Sequence, residues 1–240
     1  MTIKKIPDLI FENEDMVIID KPAGLLSIPD RFDLNKPNAH QILTQQGKTV
    51  FTVHRIDKDT SGLLIFAKNS QTHRSLSLLF EEQKIQKTYL AIVHGKPPFE
   101  EGSINSPIAH SSAGDGRMII HPKGKPSETL FKLSHAWKKF SQIECKPLTG
   151  RTHQIRVHLA SIHCPIVADP IYSLKPNLKI DDIKNYVRKG KFEETNPDLI
   201  ARTALHAHSL KFELNGQSLY FECPLPKDMK AVINQMNKWQ

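Results

Sequence analysis

Five consecutive apolar residues, Leu63-Leu64-Ile65-Phe66-Ala67, follow the polar turn Lys58-Asp59-Thr60-Ser61-Gly62. A run this short, bounded by turn residues and without polar alternation, predicts a strand buried on both faces. The rest of the chain is organised around it. Directly before the turn, His54-Arg55-Ile56-Asp57 puts an acid where a loop meets that core strand. A carboxylate there is fixed by a rigid scaffold yet reachable from a cleft, the setting in which an ionisable group does chemistry. Asp57 and Asp59 also suit a plain turn, because Asp bonds nearby backbone N–H groups, and both readings stand at this level.

Taken in order, Met16–Ile19 predicts a buried strand, followed by a turn with Pro22 and Gly24 and a second short strand before Pro29. A helix is expected over Ala39–Thr44, and another from Ser70 as N-cap to about Gln83, with Leu76, Leu79 and Phe80 at helical spacing. Lys84–His94 alternates as a strand that carries Tyr89. Residues 102–127 suggest turns around short extended pieces such as Met118–Ile120, as a flap or an exposed hairpin. Thr129–Leu133 and Phe140–Leu148 alternate as an antiparallel pair. A helix then follows, capped by Thr149 or Thr152, with Ile155, Leu159 and Ile162 on its apolar face. His163–Tyr172 suggests a strand and turn, and a helix is expected near Ile180–Arg188 within a lysine-rich stretch. The end predicts a hairpin, from Leu205 to Glu222 across Asn215-Gly216, and a closing helix over Lys227–Trp239.

The 240 residues suffice for one large domain with a substantial core. Three widely spaced cysteines suggest neither a disulfide framework nor a metal site, and no apolar run is long enough to span a bilayer. The start lacks a secretory pattern, so the expectation is a soluble cytoplasmic protein. The 33 Lys and Arg against 25 Asp and Glu leave a formal charge of +8. That excess fits a polyanionic partner, with nucleic acid first, and equally fits simple solubility. No heptad or exposed apolar stripe is evident, so a monomer is expected.

Arg151, His153, Arg156 and His158 crowd the start of the helix after Leu148. Helix N-termini favour anions, so a phosphate or carboxylate fits there; a solvated basic face fits as well. His153 and His158 are five apart and lack companion ligands, and His206 and His208 share a strand face with no neighbouring acid or cysteine. Neither pair has the pattern of a metal site.

Four stretches together, H-R-I-D-K-D-T-S-G-L-L-I-F-A-K, K-T-Y-L-A-I-V-H-G, G-R-T-H-Q-I-R-V-H-L and L-H-A-H-S-L-K-F, resemble the ordered motifs of the RluA family of pseudouridine synthases over nearly the whole chain. The resemblance implies an enzyme that isomerises uridine in ribosomal or transfer RNA without cofactor or metal. It implies an α+β fold: a long, curved, mostly antiparallel mixed sheet with flanking helices and loops and an active cleft across its middle. One catalytic domain over residues 1–240 is expected, with 173–202 as a peripheral insertion. The N-terminal RNA-binding domain of many relatives is not expected, so the catalytic domain binds RNA itself. Arg31, Lys36, Arg74 and the 175–202 stretch offer phosphate contacts.

By the same resemblance Asp57 is the catalytic aspartate, Tyr89 the tyrosine against the target base and a general-base candidate, and Arg156 the arginine that pairs with the aspartate. Arg55 helps extrude the uridine, and Leu205 packs in the pocket. Arg151 and His153 are further substrate-binding candidates from the basic helix start. The chemistry suits these roles. A nucleophilic carboxylate must be charged and aimed, which a neighbouring arginine favours, and a stacked uridine must be flipped out and given an aromatic surface in exchange. Whether Asp57 adds to the ring, attacks C1′ or assists departure to a glycal stays open. A glycosidase would need a partner carboxylate, and a phosphodiesterase a metal cluster; the motifs offer arginine, histidine and tyrosine instead.

Overall fold

The computed structural model describes residues 6–184 and 197–240. The chain groups into two compact units, one of residues up to Tyr89 with His206–Pro224, the other of Leu90–Leu205 with Leu225–Gln240.

The first unit runs β1 (Asp8–Glu12), β2 (Met16–Lys21), α1 (Ala39–Gln45), β3 (Phe51–Thr52), β4 (Ser61–Ala67), α2 (Ser70–Glu81) and the start of β5 (Gln86–His94). β2 is antiparallel to β1 on one side and to β4 on the other, pairing Met16 with Ala67 through to Lys21 with Gly62. Every residue of β4 is buried, as expected for the apolar run. Alternate side chains of β2 and β4 feed two cores. Met16, Ile18, Leu63 and Ile65 pack with Leu76 of α2, while Val17, Ile19, Leu64 and Phe66 pack with Ile42 and Leu43 of α1. Each fully buried Leu, Ile or Phe contributes roughly 1.5–3 kcal/mol relative to exposure.

The second unit continues β5 and adds β6 (Glu101–Asn105), β7 (Ile108–His110), β8 (Met118–Ile120), β9 (Glu128–Ala136), β10 (Phe140–Pro147), α3 (Gln154–Ser161), β11 (Leu178–Lys179), α4 (Ile180–Lys184) and β12 (Asp198–Ile200). The order β5-β10-β9-β6 forms its sheet, and β7 with β8 forms a separate antiparallel ribbon. The chain returns to the first unit through β13 (Leu205–Leu214) and β14 (Gln217–Glu222), joined by Asn215 and Gly216, both at positive φ as a tight hairpin turn requires. α5 (Lys227–Trp239) belongs to the second unit. β13 lies parallel to β4, with His206 opposite Ser61 and Ala207 opposite Gly62. That pairing makes a mostly antiparallel sheet a mixed one, and with the helices gives the expected α+β class.

Several local expectations are corrected. After Gly24 there is no second strand, only a bridge from Leu26 to Asn38. The cap of α2 is Asn69, whose side chain accepts from the Thr72 N–H, so Ser70 is the first helical residue. His163–Tyr172 forms turns, with a single bridge from Ile166 to Val93, because Pro165 and Pro170 remove ladder donors. Neither Thr149 nor Thr152 caps α3; His153 does so in a left-handed conformation, without a side-chain cap bond. The helix expected to Arg188 is present as α4 to Lys184, and its remainder lies outside the described residues. Among the described residues no helix is long and apolar enough to cross a membrane.

Candidate active site

In the first unit, the loop that carries Asp57 has its backbone tied on both sides of the acid. The Ser27 hydroxyl donates to the Ile56 carbonyl at 2.8 Å and accepts from the Ile56 N–H at 3.1 Å. On the other side, the Lys58 carbonyl accepts from the Gly24 N–H at 2.9 Å and from Lys21 Nζ at 3.0 Å. Lys21 is 0% exposed, and its ammonium also donates to the carbonyls of Leu25 at 2.7 Å and Pro22 at 3.1 Å. A buried charge is tolerable only when several acceptors replace its water, and here the acceptors are the peptide groups of two loops. Gly24 reaches Lys58 from a φ of +85°, which a side chain would oppose. Closing the turn, the Thr60 N–H donates to the Asp57 carbonyl at 3.2 Å.

Within this frame the Asp57 side chain is half-buried and Arg55 is exposed. Tyr89, on β5, is half-buried, and its phenol is pushed well above the ordinary range, first by desolvation and then by the negative charge of Asp57. The acid and the phenol therefore share one electrostatic environment, and at neutral pH the phenol keeps its proton. His54 supports the same loop. Its Nε2 accepts from the Ile65 N–H at 3.1 Å, and its ring stacks on Phe80 with centroids 4.4 Å apart. Burial and the charge of Lys87 push its pKa down to about 3, so the ring is a neutral acceptor. Lys87, two residues before Tyr89, is itself driven down to about 8 by burial.

In the second unit, the start of α3 is organised by Gln154 in place of a threonine cap. Its Oε1 accepts from the Arg151 N–H and the Thr149 hydroxyl, and its Nε2 donates to the Glu128 carbonyl at 2.9 Å and Thr129 Oγ1 at 3.0 Å. The first helical turn is not a solvated basic face. Arg156 is 6% exposed and forms a two-pronged pair with fully buried Asp169, Nε to Oδ2 at 2.7 Å and Nη2 to Oδ1 at 2.9 Å. Asp169 also accepts from the N–H groups of Ile171 and Tyr172, which fixes the carboxylate before the arginine meets it. The Arg156 guanidinium lies 5.2 Å from the Tyr172 ring centroid, and His153 Nδ1 is 3.0 Å from the Tyr172 hydroxyl. The structure thus brings Arg156 and His153 together around Tyr172. His158 is instead a core strut, buried between Thr129 and the Ser106 carbonyl, and burial lowers its pKa. Leu205 is buried at the head of β13, its carbonyl accepting from Arg202.

Arg151 is exposed and is held by a bond from Nε to the Pro126 carbonyl at 3.1 Å. It borders a cleft of about 400 Å³ with His110, Lys123 and Lys125, floored by Ile108 and Met118. Gly124 lets the lysine turn lie on β7: a Cβ there would meet the Ile108 backbone at 2.6 Å. Among the described residues no group of three or more His, Cys, Asp or Glu is placed to hold a metal ion. Against expectation, a cysteine and an acid do lie beside the His206 and His208 pair: both rings bond the Cys223 carbonyl, and His208 Nε2 is 3.6 Å from Glu222 Oε1.

Asp169, Tyr172, Lys21 and Gln154 were not among the residues singled out from the sequence. An acid inside Ile166-Val167-Ala168-Asp169, and a lysine closing the apolar strand Met16–Ile19, are the signals that point to them, since a charge in such a run needs a buried partner.

Residues 15–161 match the sequence profile of the family described as RNA pseudouridylate synthase. The chain is 36% identical over 236 residues to the ribosomal large subunit pseudouridine synthase D of Buchnera aphidicola subsp. Acyrthosiphon pisum, covering 94% of this chain and 72% of that protein. It is 34% identical to the uncharacterized RNA pseudouridine synthase YhcT of Bacillus subtilis, covering 94% and 70% of the two chains. Among solved structures, human RNA pseudouridylate synthase domain containing 4 superposes with a TM-score of 0.72 at 23% identity, over 96% of this chain and 93% of that one, and shows the same fold.

Proposed function

The chain belongs to the RluA family of RNA pseudouridine synthases, and from that premise we propose that it isomerises uridine to pseudouridine in large-subunit ribosomal RNA, with Asp57 as nucleophile. The observation that carries the proposal is the Asp57 loop. A half-buried carboxylate projects from a backbone secured at Ile56, Lys58 and Thr60, beside a phenol that is neutral at physiological pH. Such preorganisation keeps a nucleophile aimed without reorganisation at the moment of reaction.

In the proposed reaction the target uridine is flipped from the RNA, with exposed Arg55 entering the vacated stack and the Tyr89 ring replacing lost base stacking. The N1–C1′ bond breaks, the uracil turns within the pocket, and C5 bonds to C1′. The C5 proton leaves and N1 gains one, so no redox partner is needed. While Asp57 is a free carboxylate, its charge adds to burial in keeping the Tyr89 phenol protonated. Whichever atom Asp57 bonds to, that bond breaks again with the carboxylate as leaving group, so its charge returns and the enzyme ends the cycle unchanged; Tyr89 is the general-base candidate for the C5 proton. Arg156, held by Asp169, and Leu205 keep the roles that the family resemblance gives them, the arginine as catalytic cation and the leucine as an apolar substrate contact. Arg151 and His153 bind substrate, and the cleft with Lys123 and Lys125 takes RNA phosphates. The relatives' names point to large-subunit ribosomal RNA ahead of transfer RNA.

Tritium release from RNA carrying 5-tritiated uridine tests the reaction, because only isomerisation frees that hydrogen. Release is expected from large-subunit ribosomal transcripts, and Asp57→Asn is expected to bind RNA within about twofold of the native protein and release nothing. Release by Asp57→Asn at the native rate sinks the nucleophile assignment; release only from transfer RNA transcripts sinks the substrate assignment.

A further inference from the structure

We infer that His206 is a positioning residue for the reaction, holding the Asp57 turn from behind through one hydrogen bond of fixed direction. The inference rests on the assignment of Asp57 as the catalytic acid. His206 is 0% exposed and stands opposite Ser61 where β13 runs parallel to β4. Its Nε2 is 3.1 Å from the Cys223 carbonyl oxygen, and its Nδ1 is 3.0 Å from Ser61 Oγ. A carbonyl has no proton to give, so Nε2 carries the ring proton. In the neutral ring Nδ1 is then an acceptor, and the Ser61 hydroxyl has to donate to it. The tautomer is set on one side of the ring and the direction of the serine bond follows on the other.

Ser61 has the only polar side chain in β4, and it sits at the end nearest Asp57. The Thr60 N–H to Asp57 carbonyl bond makes residues 57–60 one closed turn, so securing Ser61 secures the far edge of that turn. Just beyond, the Gly62 backbone approaches β13 so closely that a Cβ would lie 2.2 Å from the Ala207 oxygen. Ser27 holds the loop before Asp57, Lys21 and Gly24 hold it at Lys58, and His206 holds the strand end at Ser61. Without that last tie the turn is fixed at Lys58 yet free to shift where it enters β4, and small misplacements of a reacting group are costly: about 1 Å can lower turnover a hundredfold.

The two ring nitrogens can be tested separately. His206→Asn puts its amide oxygen near the Nδ1 position and keeps an acceptor for Ser61; His206→Gln puts its amide nitrogen near Nε2 and keeps only the bond to Cys223. Single-turnover tritium release, RNA affinity and thermal stability are measured for both, for Ser61→Ala and for Asp57→Asn. His206→Gln and Ser61→Ala are expected to lose at least about tenfold in rate with RNA affinity within about twofold, while His206→Asn recovers most of the rate at comparable stability. Equal rates for the Asn and Gln variants, or rates that follow the folded fraction alone, overturn the proposal. Activity in Asp57→Asn would identify a different failure, that of the underlying assignment.

Discussion

Replacing Lys21 by methionine tests whether the buried ammonium is the fastener of the Asp57 loop. Methionine fills nearly the same stem volume and removes only the charge and its three donors. Two energies oppose each other. Dehydrating an ammonium costs several kcal/mol, and this cost disappears in the variant. Against it stand charge-assisted bonds to Leu25, Lys58 and Pro22 of 2.7, 3.0 and 3.1 Å, each worth about 1.5–3 kcal/mol. The carbonyls remain after the substitution, and a buried acceptor that loses its donor costs about 1–3 kcal/mol. The Lys58 carbonyl keeps the Gly24 N–H at 2.9 Å and is partly protected, so the Leu25 and Pro22 acceptors dominate. Removing one partner of a buried, paired charge costs about 3 kcal/mol at the low end, corresponding to a fall in Tm of about 6–12 °C for a chain of this size. Because Gly24 and Ser27 still hold Lys58 and Ile56, turnover below the transition is expected to fall less than about tenfold, well under the loss in Asp57→Asn. Thermal unfolding by circular dichroism, paired with tritium release at 20 °C below Tm, measures both. A Tm within about 2 °C of the native protein would refute the claim that Lys21 secures the loop.

Gly62→Ala puts a Cβ 2.2 Å from the Ala207 oxygen at a φ of +109°, and an ordinary contact requires an opening of about 1.2 Å between two backbones. Positive φ alone costs about 1–3 kcal/mol, so a destabilisation of at least about 3 kcal/mol by urea unfolding is expected, and a value under about 1 kcal/mol would contradict the close approach. His54 gives a pH dependence. Its folded pKa of about 3 lies below the ordinary 6.5, so the unfolded chain binds the extra proton between those values. Its contribution is therefore constant above about pH 6.5 and is lost as pH falls toward 3. The fall in Tm between pH 6.5 and 4 is expected to be shallower in His54→Gln; an unchanged slope would show that His54 already titrates freely.

The sheet was legible in the sequence wherever a strand is apolar throughout or strictly alternating, as in β4, β5, β10 and β13. It was illegible where pairing is made by short edges. β1 is a five-residue edge strand with a register shift between Leu9 and Phe11, which blurs its alternation. β3 and β11 have two residues each, too few for any period. The α2 cap was displaced by one residue because Asn69 and Ser70 are both good caps and adjacent. Of the proposed site residues, Asp57, Tyr89 and Arg156 came from the ordered motifs. The bonds that support the Asp57 loop join distant stretches: Lys21 is 37 residues from the carbonyl it holds at Lys58, and Ser61, inside one motif, is 145 residues from His206 in another. Such long-range bonds leave no spacing to detect. What the chain does show locally is the anomaly, a charge or hydroxyl set in an apolar strand, without naming its partner.

The complete burial of β4 has a consequence for how the chain finds its register. In a strand with one wet face, alternation distinguishes correct pairing from a slip of one residue; in Leu63-Leu64-Ile65-Phe66-Ala67 both faces are equally greasy, and the pattern carries almost no such information. The only residues able to mark the position are Ser61, which must meet a histidine, and Gly62, which alone tolerates the Ala207 backbone. A slip of one residue would displace Asp57 by about 3.3 Å, more than the length of the bonds that hold its loop. The marks that proofread the fold are thus next to the residue proposed to do the chemistry. A misassembled molecule would be silent instead of modifying the wrong uridine.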